Sequence, residues 1–315
     1  MAIEVILPGP LSSFQDLGRF SSQHLGVFVG GAMDEVSHRL ANALVGNPPG
    51  LATLEATLLG PTLQFDRPAV VAICGADLSP MLDGAAIAND RAVAVPAGAR
   101  LSFGQRRSGA RAYIAVAGGY TLDKVLDSYS TSLKAGFGGF KGRALLAGDR
   151  IGLNCDDGAL PEPARIEIPA SLRAPPTGAI RFNAGRHWND FGEATRRQFM
   201  TQTFKVQPQS SRMGYRLSGE PLRMTKPREL ISEPVRFGTV QVPGDGQPIV
   251  LMADKQTVGG YPRIAEVISV DLPRLAQLMP GEAVRFELVS ITEAQARLCE
   301  REKLLSSLEV PASGV

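Results

Sequence analysis

The chain has 315 residues, 44% of them hydrophobic and 20% charged, which is enough apolar material for packed cores and argues against disorder. Its 33 basic and 31 acidic residues leave a net charge of +2, so no electrostatic argument points to nucleic acid or an anionic membrane as partner. No apolar run reaches the ~20 residues of a membrane helix, and the N-terminus lacks a basic-then-apolar leader. Three scattered cysteines, Cys74, Cys155 and Cys299, fit a reduced, cytoplasmic chain.

Short β-type runs dominate, at residues 3–7, 69–74, 111–116, 166–168, 248–252 and 284–289, punctuated by 34 Gly and 23 Pro. After the first run, Gln15-Asp16-Leu17-Gly18-Arg19 brings together an amide, a carboxylate and a guanidinium. This is either a substrate-facing loop or a surface turn closed by Asp16 and Arg19. His24 is either a base or, as lone imidazoles more often are, a structural group. Ser37 is expected to cap a helix over 38–45, with Leu40 and Leu44 on one face and Gly46 as the stop. Glu55 lies in an alternating strand, either facing outward or buried; burial would raise its pKa and let it exchange protons near neutral pH. Cys74 reads as a small buried hydrophobe.

Asp83-Gly84 predicts a two-residue hairpin turn. A turn-into-strand pattern occurs at Pro96-Ala97-Gly98, Leu146-Ala147-Gly148 and Met279-Pro280-Gly281, each followed by two apolar residues on one strand face. The Gly-rich run ending Lys141-Gly142-Arg143 is either an anion grip or a mobile surface loop. A proline-rich stretch at 161–177 reads as a linker, giving two β-rich domains at 1–165 and 178–315 with barrel-like closure. Further helices are expected at 191–201, from an Asp271 cap to Leu278, and at 294–305 behind a Thr292/Gln295 capping box.

The densest polar set follows in the second domain. Arg212 and Tyr215 precede Gln241, Asp245, Gln247, Asp254, Lys255 and Gln256, set among Gly/Pro turns, and then Gly259, Gly260 and Tyr261. Such a set suits a small amide, urea-like or imide-like group, or a protein partner. There is no Gly-x-x-x-x-Gly-Lys phosphate loop and no Gly-x-Ser-x-Gly elbow. Histidines 24, 38 and 187 lack metal-ligand spacing, so no metal is expected. Without a Met-Lys-Met signature, any biotin must sit on another chain.

Ordered motifs then identify a resemblance. They include Gln15-Asp16-Leu17-Gly18-Arg19, Gln23-His24-Leu25-Gly26-Val27, Leu44-Val45-Gly46-Asn47, Gly75-Ala76-Asp77-Leu78, Arg212-Met213-Gly214-Tyr215, Asp245-Gly246-Gln247-Pro248 and Gly259-Gly260-Tyr261-Pro262. The chain resembles the KipA / allophanate hydrolase subunit 2 family, the biotin-dependent carboxyltransferase family, over nearly its whole length. The resemblance implies a mainly β, two-lobed fold with few short helices and a cyclophilin-like barrel in the C-terminal lobe. It implies the role of the C component of ATP-dependent 5-oxoprolinase, working with a KipI-like subunit and a LamB/YcsF-type third subunit to open 5-oxoproline to glutamate. ATP would bind at a subunit interface or on another subunit.

Under that reading Arg212, Gln241, Lys255 and Glu55 are the catalytic candidates. Gln15, Asp16, Arg19, His24, Arg143, Tyr215, Asp245, Gln247, Asp254, Gln256, Gly259, Gly260 and Tyr261 are the substrate-binding candidates. Two alternatives stand beside it: the carboxyltransferase half of a urea or amide carboxylase, served by carboxybiotin on another chain, and a KipA-type regulator that counteracts a KipI-like kinase inhibitor. Lys255 stands where the family pattern has Arg, which removes a bidentate fork. Val258, Tyr129 and Phe28 are further departures, and these changes bear on which substrate is used.

Overall fold

The computed structural model describes residues 2–154, 166–173, 178–225 and 230–310. Cys155 lies outside the described residues, as does most of the 161–177 stretch. Among the described residues no helix is long and apolar enough to cross a membrane. The chain divides into two compact units. One holds Gly30–Leu172 with the segments up to Ser21 and from Lys303; the other holds Ser22–Val29 and Arg173–Glu302.

The first unit contains strands β1 (Ala2–Leu7), β2 (Ser12–Gln15), β3 (Thr53–Thr57), β4 (Thr62–Phe65), β5 (Ala69–Asp77), β6 (Pro80–Leu82), β7 (Ala85–Ala86), β8 (Ala92–Val95), β9 (Arg100–Phe103), β10 (Ser108–Val116) and β11 (Arg150–Gly152), and helix α1 (Glu35–Leu44). They form a six-stranded sheet in the order β11-β1-β4-β9-β6-β7 and a five-stranded sheet in the order β2-β3-β10-β5-β8. Val5, Phe14, Leu63, Val71 and Ile114 from both sheets fill one core. Val70, Cys74 and Tyr113 face the other way, onto Val36, Leu40 and Leu44 of α1 and onto Leu305. Strands β5 and β10 are therefore covered on both faces, which explains their unbroken apolar runs.

Local chemistry sets the turns. Asp83 and Gly84 both have positive φ, 49° and 82°, and join β6 to β7 as a tight hairpin. Gly98, Gly148 and Gly281, in the three repeated turns, all adopt positive φ. The cap of α1 differs from expectation. Asp34 is the N-cap and its Oδ1 accepts from the Ser37 N–H at 3.0 Å, because a carboxylate there meets both the backbone and the Ser37 hydroxyl. Residues 166–168 form no strand; Ile168 instead packs into the α1 cluster.

The second unit contains β12 (Ile180–Ala184), β13 (Phe204–Val206), β14 (Gly214–Ser218), β15 (Glu233–Pro234), β16 (Thr239–Gln241), β17 (Ile249–Leu251), β18 (Val258–Gly259), β19 (Arg263–Val267), β20 (Ala283–Val284) and β21 (Phe286–Leu288). Its helices are α2 (Glu193–Thr201), α3 (Leu272–Ala276) and most of α4 (Ile291–Leu308). Eight strands run in the order β20-β13-β14-β17-β16-β19-β12-β21. The two edge strands are separated in sequence only by Arg285, so the expected 284–289 strand breaks there and the sheet comes round into a nearly closed barrel. Phe182, Phe199, Phe204 and Phe286 pack together inside, with Phe199 stacked on Phe286 at 4.6 Å.

Helix ends again differ from the sequence pattern. Helix α2 starts at Glu193, since Phe191 is buried and bridges Met224. Asp271 makes no side-chain cap to α3; its carboxylate instead takes Arg181, with Nε at 3.0 Å and Nη2 at 2.5 Å. Ser290, not Thr292, caps α4 by accepting from the Glu293 N–H at 3.1 Å. Because Phe199 is fully enclosed by rings, Phe199→Ala is expected to cost about 3–5 kcal/mol, read as a lower urea midpoint with an unchanged slope.

Candidate functional site

In the first unit the polar candidates are engaged internally. Asp16 follows β2 and is buried. Its carboxylate accepts from Gly18 N at 2.8 Å, Ser128 Oγ at 2.7 Å, Ser130 Oγ at 2.5 Å and Tyr129 N at 2.6 Å. Arg19 donates to the Ser130 carbonyl and lies over the Phe137 ring. Gln15 Nε2 donates to Ser13 Oγ at 3.0 Å, while its Oε1 is buried with no hydrogen-bond partner among the described residues. These contacts pin the 128–131 segment, against which the Gly-rich run packs: a Cβ on Gly139 would lie 1.9 Å from Thr131 Oγ1. Arg143 forms a fork with Asp149, both bonds at 2.7 Å, and this bond holds the Asp149 carboxyl below its usual range.

Glu55 on β3 is equally enclosed. Its Oε2 accepts from Met33 N at 3.0 Å and from Tyr113 Oη at 2.8 Å, and Oε1 lies 3.8 Å from Arg111 Nε. Burial first, and then the Glu55 charge, push the Tyr113 phenol well up, so it stays a neutral donor.

The second unit arranges its candidates differently. Arg212 and Asp254 form a buried fork, Nε–Oδ2 and Nη2–Oδ1 both at 2.9 Å. Lys255 follows, 4% exposed, and among the described residues its Nζ donates one long bond, to the Gln256 carbonyl at 3.5 Å. Burial pushes its pKa down from the ordinary lysine value. Gln241 on β16 is 1% exposed, and its Nε2 has no hydrogen-bond partner among the described residues. That amide lies against Gly259, where a Cβ would stand 2.5 Å from Gln241 Nε2 and 3.4 Å from Gln256 Nε2. A buried donor left open is costly and rare in a purely structural role.

Other candidates are spread elsewhere. The Tyr215 hydroxyl donates to the Leu278 carbonyl at 3.3 Å. Asp245 accepts from Gln247 N at 2.9 Å, and the Gln247 amide brackets Gly219 with bonds of 3.0 and 3.1 Å; both brace loops. His24 and Gln256 are exposed. Among the described residues no group of three or more His, Cys, Asp or Glu is arranged to hold a metal.

Gly260 and Tyr261 line a cleft of about 440 Å³ in the second unit, with Phe191, Leu222, Arg223 and Val242 among its other walls. Gln241, Gly259, Lys255 and Gln256 are not among the residues that line it. Arg223, a lining residue, is not among the candidates read from the sequence. Its one local signal, a lone charge between Leu222 and Met224, is commonplace.

Residues 25–288 match the family described as the carboxyltransferase domain, subdomain A and B. The chain belongs to that family. It is 39% identical to the C component of 5-oxoprolinase from Haemophilus influenzae over 90% of both chains, and 37% identical to the C component of 5-oxoprolinase from Escherichia coli over 97% of both. The crystal structure of Kluyveromyces lactis urea carboxylase superposes with a TM-score of 0.91 at 32% identity, covering 98% of this chain and 29% of that one. Family membership thus agrees with the motif reading, and the barrel-like β architecture agrees with the carboxyltransferase fold.

Within this carboxyltransferase-domain chain, Lys255 supplies a test of the burial argument. The folded state releases its proton at lower pH than the unfolded chain, which keeps it up to the ordinary value of 10.5. Across that interval the unfolded state binds more protons, so this group makes stability rise with pH. Lys255→Met is expected to be more stable than the parent at neutral pH, with the advantage shrinking toward alkaline pH in urea titrations. An advantage that grows with pH contradicts the buried-charge assignment.

Proposed function

We propose that this chain is the C component of an ATP-dependent 5-oxoprolinase, cytoplasmic, and active with a KipI-like subunit and a LamB/YcsF-type third subunit in opening 5-oxoproline to glutamate. The observation that carries this reading is end-to-end correspondence: 97% of the chain aligns with 97% of the Escherichia coli 5-oxoprolinase component. Opening an amide places negative charge on its carbonyl oxygen, and pre-set buried donors stabilise such charge strongly. Gln241 Nε2 and Lys255 Nζ are the donors assigned to that task. Arg212 acts through Asp254 as a positioning residue, since its fork is already engaged.

ATP is assigned to an interface or another subunit. The sequence has no phosphate loop, and the Gly-rich run is closed on itself with Arg143 held by Asp149, so that run does not fit a phosphate cradle. A second reading, the carboxyltransferase half of a urea or amide carboxylase with carboxybiotin on another chain, is favoured by the close superposition on urea carboxylase.

The experiment is 5-oxoproline-dependent ATP hydrolysis, with glutamate detected, by this chain co-purified with the products of its neighbouring genes. Turnover is expected to vanish when this chain is omitted, and Gln241→Ala is expected to lower kcat by about 10²–10³. An assembled complex that is silent with 5-oxoproline but carboxylates urea or an amide from carboxybiotin overturns the first reading in favour of the second.

A further inference from the structure

Two side-chain amides stand open over one glycine in the second unit. The space that a Cβ on Gly259 would fill is bordered by Gln241 Nε2 at 2.5 Å and by Gln256 Nε2 at 3.4 Å. Gly259 lies outside the left-handed region, so backbone conformation does not demand glycine there. What glycine supplies is room beside two donors. Gln241 is 1% exposed and its Nε2 has no partner among the described residues. Gln256 is exposed, and its side-chain amide likewise meets no partner among the described residues. One donor is thus fixed in the interior while the other stands at the surface, both beside the same bare stretch of backbone.

The acids of these segments are already engaged. Glu233 pairs with Gly259 across β15 and β18, and its carboxylate is taken by Arg186 and Arg263. Asp254 is held by Arg212. Two neutral N–H donors suit the two lone pairs of one carbonyl oxygen. The Gln256 carboxamide also carries an acceptor on the same edge as its donor. It can therefore pair edge to edge with an amide whose own C=O and N–H lie side by side. Lactams, ureas and primary amides present that cis edge. A trans peptide bond, the form of nearly all protein backbone, holds its C=O and N–H on opposite sides and does not.

We propose that Gln241 and Gln256 form a cradle over Gly259 for a cis amide. Both Nε2 groups donate to its carbonyl oxygen, and Gln256 Oε1 accepts from its N–H. This cradle rests on the reading above for Gln241 as a donor to substrate, and deepens it by naming the class of amide selected and Gln256 as the residue that selects it. 5-Oxoproline and urea both carry the cis edge, so the cradle does not depend on which of them is the substrate.

Ligand-detected NMR on the full chain and on the assembled complex tests this with three small probes. They are 2-pyrrolidone, cyclopentanone (the same ring and carbonyl without the N–H) and N-methylacetamide, a trans amide. The parent protein is expected to bind 2-pyrrolidone about tenfold more tightly than either of the others. Gln256→Ala, at an exposed position, is expected to lower 2-pyrrolidone affinity about tenfold and to abolish the preference. Gln241→Met, which keeps the side-chain length without the donor, is expected to weaken 2-pyrrolidone and cyclopentanone alike by about fivefold. A preference that survives in Gln256→Ala overturns the inference, as does failure of both the chain and the complex to bind 2-pyrrolidone. N-methylacetamide binding as tightly as 2-pyrrolidone also overturns it, in favour of a backbone carbonyl from a partner subunit. If the preference follows Gln256 but the complex turns over neither 5-oxoproline nor urea, the functional reading fails and the cradle stands.

Discussion

The candidate site depends on one buried ion pair. Strands β14 and β17 pair Gly214 with Leu251, and the ladder continues past that point through Met252 N to Met213 O and Asp254 N to Arg212 O. The Arg212–Asp254 fork closes this extension with two bonds at 2.9 Å. Removing either partner would leave an uncompensated buried charge, at a cost of about 3–5 kcal/mol. With Asp254 fixed, the next residue has little freedom, and Lys255 is held in the interior with a lowered proton affinity. The same turn delivers Gln256 toward Gly259 and the Gln241 amide.

Both units bury polar side chains and both leave some open: Gln15 Oε1 and Ser132 Oγ in the first and Gln241 Nε2 in the second have no hydrogen-bond partner among the described residues. In the first, Asp16, Glu55 and Arg143 each meet enough partners to account for their burial or their charge. They order backbone that would otherwise be irregular, most visibly the 128–142 segment around Asp16 and Arg19. In the second, a buried amide and a buried ammonium sit beside Gly-rich backbone with their hydrogen-bonding capacity largely open. A stable fold tolerates such groups where a ligand or partner completes them, and the second unit adds a buried ammonium of lowered proton affinity to its open amide, which is why the chemistry is assigned to this unit.

Much of the fold was legible in sequence because its signals are local. A glycine that must take positive φ before a strand marks Gly98, Gly148 and Gly281, and the Asp83-Gly84 pair marks a hairpin. Helix ends were less legible because two oxygen-bearing residues often compete for one cap: Asp34 prevails over Ser37, and Ser290 over Thr292. The candidate residues were found as a group, but not their separate tasks. Asp16 meets partners more than a hundred positions away, and Arg223 donates to the Gly244 carbonyl 21 positions on, so neither contact leaves a trace in local spacing.

We assign the open Gln241 amide to contact with a ligand or a partner subunit. Gly259→Ala tests it most directly. Gly259 lies outside the left-handed region, so alanine is conformationally acceptable, and the added methyl would stand 2.5 Å from Gln241 Nε2, the mobile end of a side chain. The account predicts an unfolding midpoint close to that of the parent, with turnover of the assembled complex reduced more than about tenfold, as expected for a displaced pre-set donor. Full turnover in a protein of unchanged stability would contradict it.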